Sequence, residues 1–361
     1  MPLEFSPLPV TANEPATLAN RLAESGHVPD PLLRMSMRRM CAQWLKAERG
    51  NDAESVFVRQ RTWLEGLRTS SLQLEGHAPP QPQRELPASF FKLCLGRQMK
   101  YGCGYWEDDT TSLNMAEDRM LRLCAERAET IDGQRILELG SGWGAQALML
   151  AHKYPNARVT AVVHSPQQQE FIQARCRERA IFNLDVVLGD IRRLQLPESS
   201  FDRIFAVEMF EHMGDYRALM SRIAGWLVPG GKLFAQLVCH RELLHLFESE
   251  ESAVDTPWMG RHFFTGGMMP AADTLEQLQG ELKMEQRWLL PGTHYEKTAN
   301  AWLQNQDDNR DDVLKLLRTL NGSANVNVGY QRWRMFWMAC AELFGYGGGN
   351  EWMVAQYRFV R

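Results

Sequence analysis

The sequence has few of the features that mark secreted, membrane-spanning or zinc-binding proteins. Its seven cysteines are odd in number, scattered along 361 residues and free of C-x-x-C pairs, which predicts free thiols in a reducing compartment. Its nine histidines show no metal-ligand spacing, so we expect no metal site. No segment is apolar for about 20 residues, and the N-terminus lacks a basic stretch followed by a long apolar run. We therefore expect a cytoplasmic protein without stable membrane association.

An excess of one charge is missing as well. Lysine and arginine number 40 against 44 acidic residues, which gives a net charge of −4. This balance gives no reason to expect nucleic acid as a partner. The expected partner is a small molecule, and the sequence leaves open whether the chain forms a homodimer.

What the sequence does contain is a glycine-rich turn, R-I-L-E-L-G-S-G-W-G at residues 135–144. A short apolar run ends in Gly140, Gly142 and Gly144, and a helical pattern follows, which predicts a strand, a tight turn and a helix start. Glycine lets a ligand lie against the backbone, and the helix N-terminus turns its free amides towards it. The spacing is G-x-G-x-G with Glu138 before it, whereas dinucleotide-binding folds use G-x-G-x-x-G.

From residue 136 onwards strands and helices alternate, which predicts an α/β fold with a doubly wound, mostly parallel sheet. The sequence predicts three segments. They are an N-terminal helical subdomain over 1–97, a ligand-binding core over 98–245, and a helical cap with the last core strands over 246–361. Strands are predicted at 135–139, 158–163, 185–188, 202–207, 232–238, 284–290 and 352–360.

Polar residues follow three of these strands, where ligands bind in such sheets. The second strand ends in Val163-His164-Ser165, and Gly189-Asp190-Ile191 closes the third. The fourth runs into V-E-M-F-E-H-M at residues 207–213. We therefore expect these strand ends to form one site with the glycine turn.

These motifs together resemble a known family. The glycine turn with Glu138 resembles the first motif of class I methyltransferases that use S-adenosylmethionine, and V-E-M-F-E-H-M is similar to plant coclaurine and pavine N-methyltransferases, within the cyclopropane fatty acid synthase group. The similarity continues in R-H-F-F-T-G-G-M-M-P (261–270), G-T-H-Y (292–295), E-L-F-G-Y (342–346) and E-W-M-V (351–354). The resemblance implies a Rossmann-like class I methyltransferase fold, S-adenosylmethionine as cofactor and S-adenosylhomocysteine as product.

The resemblance also implies which residues form the site. The family has a serine where Gly102 stands. Implied cofactor contacts are Tyr101, Gly102, Glu138, Gly140, Gly142, His164, Ser165, Gln168, Asp190, Ile191 and Val207. Implied catalytic residues are Glu208, Glu211 and His212. Candidate substrate contacts are Glu85, Tyr105, Phe264, Trp333, Phe336 and Trp337, although the helical spacing of the last three is also typical of a buried core.

These residue types suit methyl transfer to an amine, and we expect that amine to be an arylalkylamine or a tetrahydroisoquinoline-like alkaloid. Aliphatic amines are mostly cations at neutral pH, so a carboxylate attracts them and a histidine or glutamate can accept the proton before attack. Glu211 and His212 are both candidates for that base.

Two alternatives remain at the level of sequence. The Y-G-C-G-Y-W segment (101–106) is similar to the cyclopropane synthase loop, so Cys103, His240 and Glu208 could serve an enzyme acting on unsaturated acyl lipids. Against this, no basic amphipathic segment is present for docking on anionic lipid. The other alternative, a non-catalytic cofactor-binding protein, is disfavoured because a degraded site would have no need of buried acids.

Overall fold

A computed structural model describes residues 18–50, 52–69, 86–246, 267–321 and 325–361. Two predicted substrate contacts, Glu85 and Phe264, lie outside these residues, as does most of the R-H-F-F-T-G-G-M-M-P motif. Within the described ranges no helix is both long and apolar enough to cross a membrane.

In the described residues before the glycine turn, every element is a helix. The helix α5 begins at Ser112, whose side chain accepts a hydrogen bond from the backbone N–H of Met115, and its buried face includes Ala116, Met120 and Cys124. The helices of this part are α1 (Leu18–Glu24), α2 (Asp30–Arg49), α3 (Ala53–Thr69), α4 (Ala88–Cys94) and α5 (Leu113–Arg127).

The next part of the chain alternates strands and helices. Four of its five predicted strands have the predicted bounds to within one residue, whereas the fifth, predicted at 232–238, begins five residues earlier and ends two residues later. Its elements are β1 (Arg135–Leu139), α6 (Ala145–Lys153), β2 (Arg158–Val163), α7 (Pro166–Glu178), β3 (Leu184–Leu188), β4 (Phe201–Val207), α8 (Tyr216–Trp226) and β5 (Leu227–His240).

The remaining part holds the last two core strands and a second group of helices. Its elements are β6 (His245–Leu246), β7 (Met268–Met269), α9 (Thr274–Gln277), β8 (Lys283–Leu290), α10 (Thr293–Asp308), α11 (Arg310–Asn321), α12 (Val326–Gly345) and β9 (Trp352–Val360). The sequence pattern predicts a single helical segment at 302–320, but the structure has two helices there. They meet at Asn309, whose side-chain amide donates to the backbone carbonyl of Leu93 at 3.0 Å and so ties the break to α4.

The main sheet has seven strands in the order β3-β2-β1-β4-β5-β9-β8. The first five are parallel to their neighbours, and β9 runs antiparallel to both β5 and β8. This confirms the α/β, doubly wound, mostly parallel sheet. The strand order reverses between β1 and β4, and ligands bind at the carboxyl ends of strands at such a switch point. The glycine turn and Glu208 therefore lie next to each other.

Candidate active site

The glycine turn has the backbone geometry that only glycine adopts without cost. Gly140, Gly142 and Gly144 have φ angles of 74°, 54° and 81°. A Cβ on Gly144 would lie 2.6 Å from Cγ1 of Ile172, so α7 packs directly against the turn. Gly144 also precedes α6, whose first turn presents its free amides at the end of β1.

Glu138 lies beneath this turn and is 3% exposed. Burial raises the pKa of Glu138 to about 7, although hydrogen bonds from the Ser141 side chain and the Ala147 backbone oppose the shift. Its Oε2 atom is buried and has no hydrogen-bond partner among the residues that the structure describes. A buried acceptor without a partner is costly unless a ligand supplies a donor, so this carboxyl fits a cofactor with an amino or hydroxyl group.

The ends of β2 and β3 carry the other predicted cofactor contacts. Ser165 and Gln168 are buried at the start of α7, and the Oε1 atom of Gln168 has no partner within the described part of the chain. Asp190 forms an ion pair with Arg192, with Oδ2 and Nη2 2.8 Å apart. Partial burial acts to raise the pKa of Asp190, but the hydrogen bonds from Arg192 outweigh it, so the pKa lies below its ordinary value. His164 is partly exposed, Ile191 is buried and Val207 is partly buried.

Glu208 contacts the loop over residues 101–106, strand β5 and helix α10. It follows β4 with a φ of 50°, a backbone conformation that costs energy for a residue with a side chain. Its Oε1 atom accepts hydrogen bonds from the backbone N–H of Cys103 at 3.0 Å and from Nε2 of Gln236 at 2.8 Å. The hydroxyl of Tyr295 on α10 lies 3.4 Å from Oε2. The carboxylate is 4% exposed, so these donors fix its position in the interior.

Gly102 lies directly against this carboxylate. A Cβ at Gly102 would be 2.7 Å from Oε1 of Glu208, closer than real Cβ contacts. The glycine that departs from the family's serine is therefore the residue that makes room for Glu208. Tyr101, the residue before it, packs its ring against Phe91 at 5.3 Å and Trp302 at 5.5 Å.

Glu211 and His212 lie on a short 3₁₀ helix, Phe210–His212, directly after this point. Glu211 is 3% exposed, and its Oε1 accepts a hydrogen bond from the backbone N–H of Val238 at 2.7 Å. Burial, with the charge of Glu208 as a second cause, raises the pKa of Glu211 to about 8. His212 is partly exposed. The two candidates for the base thus lie in very different environments.

The predicted aromatic substrate contacts divide into two groups. Trp333, Phe336 and Trp337 on α12 form one buried cluster, and Trp337 approaches Tyr101 with 6.1 Å between ring centroids. The indole N–H of Trp337 donates to Gln306 at 2.7 Å, which fills its only donor. Tyr105 instead stacks on His294 at 4.8 Å, away from this cluster.

The cyclopropane synthase alternative required His240 beside Cys103 and Glu208. Cys103 does meet Glu208 through its backbone, but His240 lies elsewhere. Its Nδ1 accepts from the backbone of Leu243 at 2.9 Å, and its Nε2 lies 3.4 Å from Glu351. Burial lowers the pKa of His240 to about 4. Gln236, not His240, is the β5 residue whose side chain meets Glu208.

Sequence reasoning missed two residues that contact Glu208, namely Gln236 and Tyr295. Tyr295 lies in the G-T-H-Y motif, but nothing in its spacing links it to β4. Gln236 did carry a signal, because it is a polar residue inside the apolar strand K-L-F-A-Q-L-V-C (232–239). A buried polar side chain in a strand needs a partner, and that partner is the carboxylate.

The chain is similar to several known proteins. A family model described as mycolic acid cyclopropane synthetase matches residues 81–352. The sequence is 32% identical over 344 residues to (S)-coclaurine N-methyltransferase from Thalictrum flavum subsp. glaucum, covering 94% of each chain. It is 33% identical over 347 residues to (S)-coclaurine N-methyltransferase from Papaver somniferum, covering 94% of this chain and 97% of that one.

A solved structure agrees with these sequence relatives. The crystal structure of coclaurine N-methyltransferase bound to N-methylheliamine and SAH superimposes with a TM-score of 0.89 at 32% identity. The match covers 95% of this chain and 99% of that one.

Proposed function

Because the chain belongs to the mycolic acid cyclopropane synthetase family and is similar over nearly its whole length to coclaurine N-methyltransferases, we propose that it methylates the nitrogen of a small amine. The chain is an S-adenosylmethionine-dependent methyltransferase, and S-adenosylmethionine is its cofactor. The substrate class is an arylalkylamine or a tetrahydroisoquinoline-like alkaloid. The single observation that carries this proposal is the buried carboxylate of Glu208, held at the switch point of the sheet by Cys103 and Gln236.

The cofactor-binding residues in this proposal surround the glycine turn. Glu138 Oε2 and Gln168 Oε1 offer buried acceptors, and the turn with the start of α6 offers backbone donors. The remaining contacts are Tyr101, Gly102, His164, Ser165, Asp190, Ile191 and Val207. When bound, S-adenosylmethionine would supply a methyl group on a positively charged sulfur. The lone pair of the amine nitrogen would bond to the methyl carbon in line with the carbon–sulfur bond, which breaks and leaves S-adenosylhomocysteine.

Glu208 binds the amine in this scheme. Its Oε1 atom already accepts two hydrogen bonds, whereas Oε2 has only the longer contact with Tyr295 among the described residues. A carboxylate oxygen has two acceptor positions, so Oε2 can accept from the ammonium group of a substrate. Removal of both charges from water makes this attraction stronger than it would be at the surface.

His212 accepts the proton of the amine. At neutral pH Glu211 carries its own proton, because its pKa is raised to about 8, and its Oε1 is held by Val238. A protonated carboxyl cannot act as a base. An imidazole changes its charge in the range where an enzyme of this kind works, and His212 is the more exposed of the pair. Glu211 then anchors the 3₁₀ helix that carries His212.

The residues after 245 form the other wall of the substrate site in this proposal, with 98–245 as the cofactor-binding core and 1–97 as the helical subdomain. Tyr295 of α10 meets Glu208, and Trp302 of the same helix contacts Tyr101. Flat, cationic substrates gain about 0.5 to 2 kcal/mol from each aromatic face that they contact. Trp333, Phe336 and Trp337 are the aromatic residues proposed for this role.

The test is transfer of labelled methyl from S-adenosylmethionine to a panel of cyclic and arylalkyl amines, run beside vesicles of unsaturated phospholipid. We expect label on at least one amine and none on lipid. Label on lipid alone would overturn the proposal in favour of acyl-chain chemistry. Label on neither, with S-adenosylhomocysteine still bound, would overturn the amine class.

A further inference from the structure

A chain of side-chain hydrogen bonds crosses the sheet from Arg127, at the end of α5, to Glu208. Nη1 of Arg127 donates to Oε1 of Gln356, whose Nε2 donates to Oε1 of Gln236 at 2.6 Å. Nε2 of Gln236 then donates to Oε1 of Glu208 at 2.8 Å. Two side-chain amides, on β9 and β5, therefore connect the guanidinium of Arg127 on α5 to the carboxylate of Glu208.

The chemistry at the two ends fixes the direction of every bond. A guanidinium only donates, so Gln356 must turn its carbonyl oxygen towards Arg127 and its amide N–H towards Gln236. Gln236 must in turn present its N–H to Glu208. With either amide reversed, a carbonyl oxygen would face another oxygen inside the protein, where an unmet polar group costs about 1 to 3 kcal/mol.

Burial and strand register leave these amides no other partners of comparable strength among the residues that the structure describes. Gln236 and Gln356 are both 0% exposed, and they are directly opposite each other in the pairing of β5 with β9. Their other side-chain contacts within the described residues are weak sulfur contacts. Nε2 of Gln356 lies 3.3 Å from Sδ of Met120 and 3.7 Å from Sγ of Cys124, and that Sγ lies 3.6 Å from Oε1 of Gln236. The residues beside each amide in its own strand, Ala235 and Leu237 on β5 and Ala355 and Tyr357 on β9, are fully buried, so the amides lie where hydrophobic residues would pack.

Arg127 is held in place at the outer end. It is partly buried, and its guanidinium lies over the ring of Trp288 at 4.8 Å. The other charged side chain over that ring, Arg358, is paired with Glu129 and Glu285. Arg127 is therefore the cation available to Gln356.

We propose that Arg127, Gln356 and Gln236 are positioning residues that orient the Glu208 carboxylate for amine binding from across the sheet. The inference rests on the proposed role of Glu208 as the amine-binding group. With Oε1 saturated by Gln236 and Cys103, the carboxylate cannot rotate, and Oε2 stays directed to the substrate side. Hydrogen bonds to a charged group are about twice as strong as neutral ones, and the guanidinium polarises the two amides in the same sense.

The first experiment uses the variants Gln356→Met and Arg127→Met, with Arg127→Lys as the conservative variant and Arg122→Met, on the exposed side of α5, as the matched control. The probe is 1,2,3,4-tetrahydroisoquinoline, titrated calorimetrically into protein saturated with S-adenosylhomocysteine. We expect roughly tenfold weaker amine binding for Gln356→Met and Arg127→Met, partial recovery in Arg127→Lys and no change in the control. Affinity for S-adenosylhomocysteine stays unchanged in all four.

A double-mutant cycle with Glu208→Gln separates positioning from general structural support. If the chain of bonds acts through Glu208, Gln356→Met has no further effect on amine binding in the Glu208→Gln background. If the two substitutions weaken amine binding independently, so that their fold losses multiply in the double variant, the inference is overturned. If Gln356→Met and Arg127→Met bind the amine as wild type does while Glu208→Gln binds it weakly, the inference is overturned. The proposed function is then unaffected. Wild-type amine affinity in Glu208→Gln itself would overturn the proposed role of Glu208.

Discussion

At the scale of single residues, Glu211 and His212 are adjacent in the chain but differ in burial. They are neighbours on one 3₁₀ turn, yet Glu211 is buried against β5 and His212 is partly exposed. The pattern E-x-x-E-H does not contain this difference, because burial depends on β5, which follows later in the chain. For this reason the sequence left both residues as candidates for the base.

The first prediction concerns the proposed base. His212→Gln should lower kcat for an amine substrate by about 10² to 10⁴ near neutral pH, the range typical of general-base catalysis. The loss should shrink as the pH rises towards the pKa of the amine, because free amine needs no base. The measurement is the pH–rate profile of both proteins. An equal loss at every pH would contradict the role of His212 as base.

The second prediction concerns Glu211 and stability. Its pKa in the folded state is about 8, above its ordinary value of 4.5, so the folded protein binds more protons than the unfolded chain between these values. Stability from this group is therefore fully present below about pH 4.5 and is lost as the pH rises towards 8. Between about pH 5.5 and 7.5, the free energy of unfolding should fall by on the order of 2 kcal/mol more in wild type than in Glu211→Gln.

Urea unfolding at the two pH values measures this difference. Glu117 and Glu138, whose pKa values burial raises to about 7, contribute the same trend to both proteins and cancel in the comparison. Parallel pH dependence in wild type and variant would show that Glu211 is ionised in the folded protein at neutral pH.

At the scale of elements, the loop over residues 101–106 packs closely against the end of β4, where Gly102 contacts Glu208. The third prediction is that Gly102→Val, a branched residue larger than the family's serine, weakens amine binding about tenfold or more, because its Cβ would lie 2.7 Å from Oε1 of Glu208 and its methyl groups need further room. Calorimetric titration of the probe amine measures the effect. Gly225→Ala on α8, where a Cβ meets nothing within 4 Å, is the control and should bind normally. Normal binding by Gly102→Val would mean that the loop and Glu208 adjust without cost.

The elements themselves were largely predictable, for reasons that lie in local sequence. The strands β1, β2 and β9 have the expected bounds because apolar runs are closed by glycine or polar residues. The break between α10 and α11 was not predictable, because the periodicity continues through it and Asn309 ends the helix by bonding to a residue of α4. The bonds from Arg127 to Glu208 were hidden for the same reason, since register across β5 and β9 brings Gln236 and Gln356 together.

At the scale of the whole molecule, ion pairs join the N-terminal helices to the C-terminal part. Arg332 on α12 bonds to Glu24 on α1 at 2.9 Å, with both side chains at least nine-tenths buried. On the same helix, Arg334 pairs with Asp30 at 2.6 Å. These contacts span about three hundred residues of sequence, and no local pattern predicted them.

The fourth prediction follows from that burial. Glu24→Ala should destabilise the protein by about 3 kcal/mol, because it leaves the Arg332 guanidinium buried without its partner. The double variant Glu24→Ala/Arg332→Met should recover much of the loss, since no buried charge then remains unpaired. Thermal unfolding of the three proteins measures both effects. Equal stability in wild type and Glu24→Ala would show that water reaches the pair.

The place of β9 in the sheet has a consequence for synthesis on the ribosome. β8 leaves the ribosome before β9, yet its partner in the sheet is β9, which also covers the open edge of β5. Until β9 emerges, a nascent chain therefore carries two strand edges with unpaired backbone groups, a known route to aggregation. Gln356 arrives on that same strand, so the folding step that closes these edges also delivers the amide that aligns Glu208. Coverage of the β5 edge and completion of the hydrogen bonds to Glu208 therefore belong to one folding step.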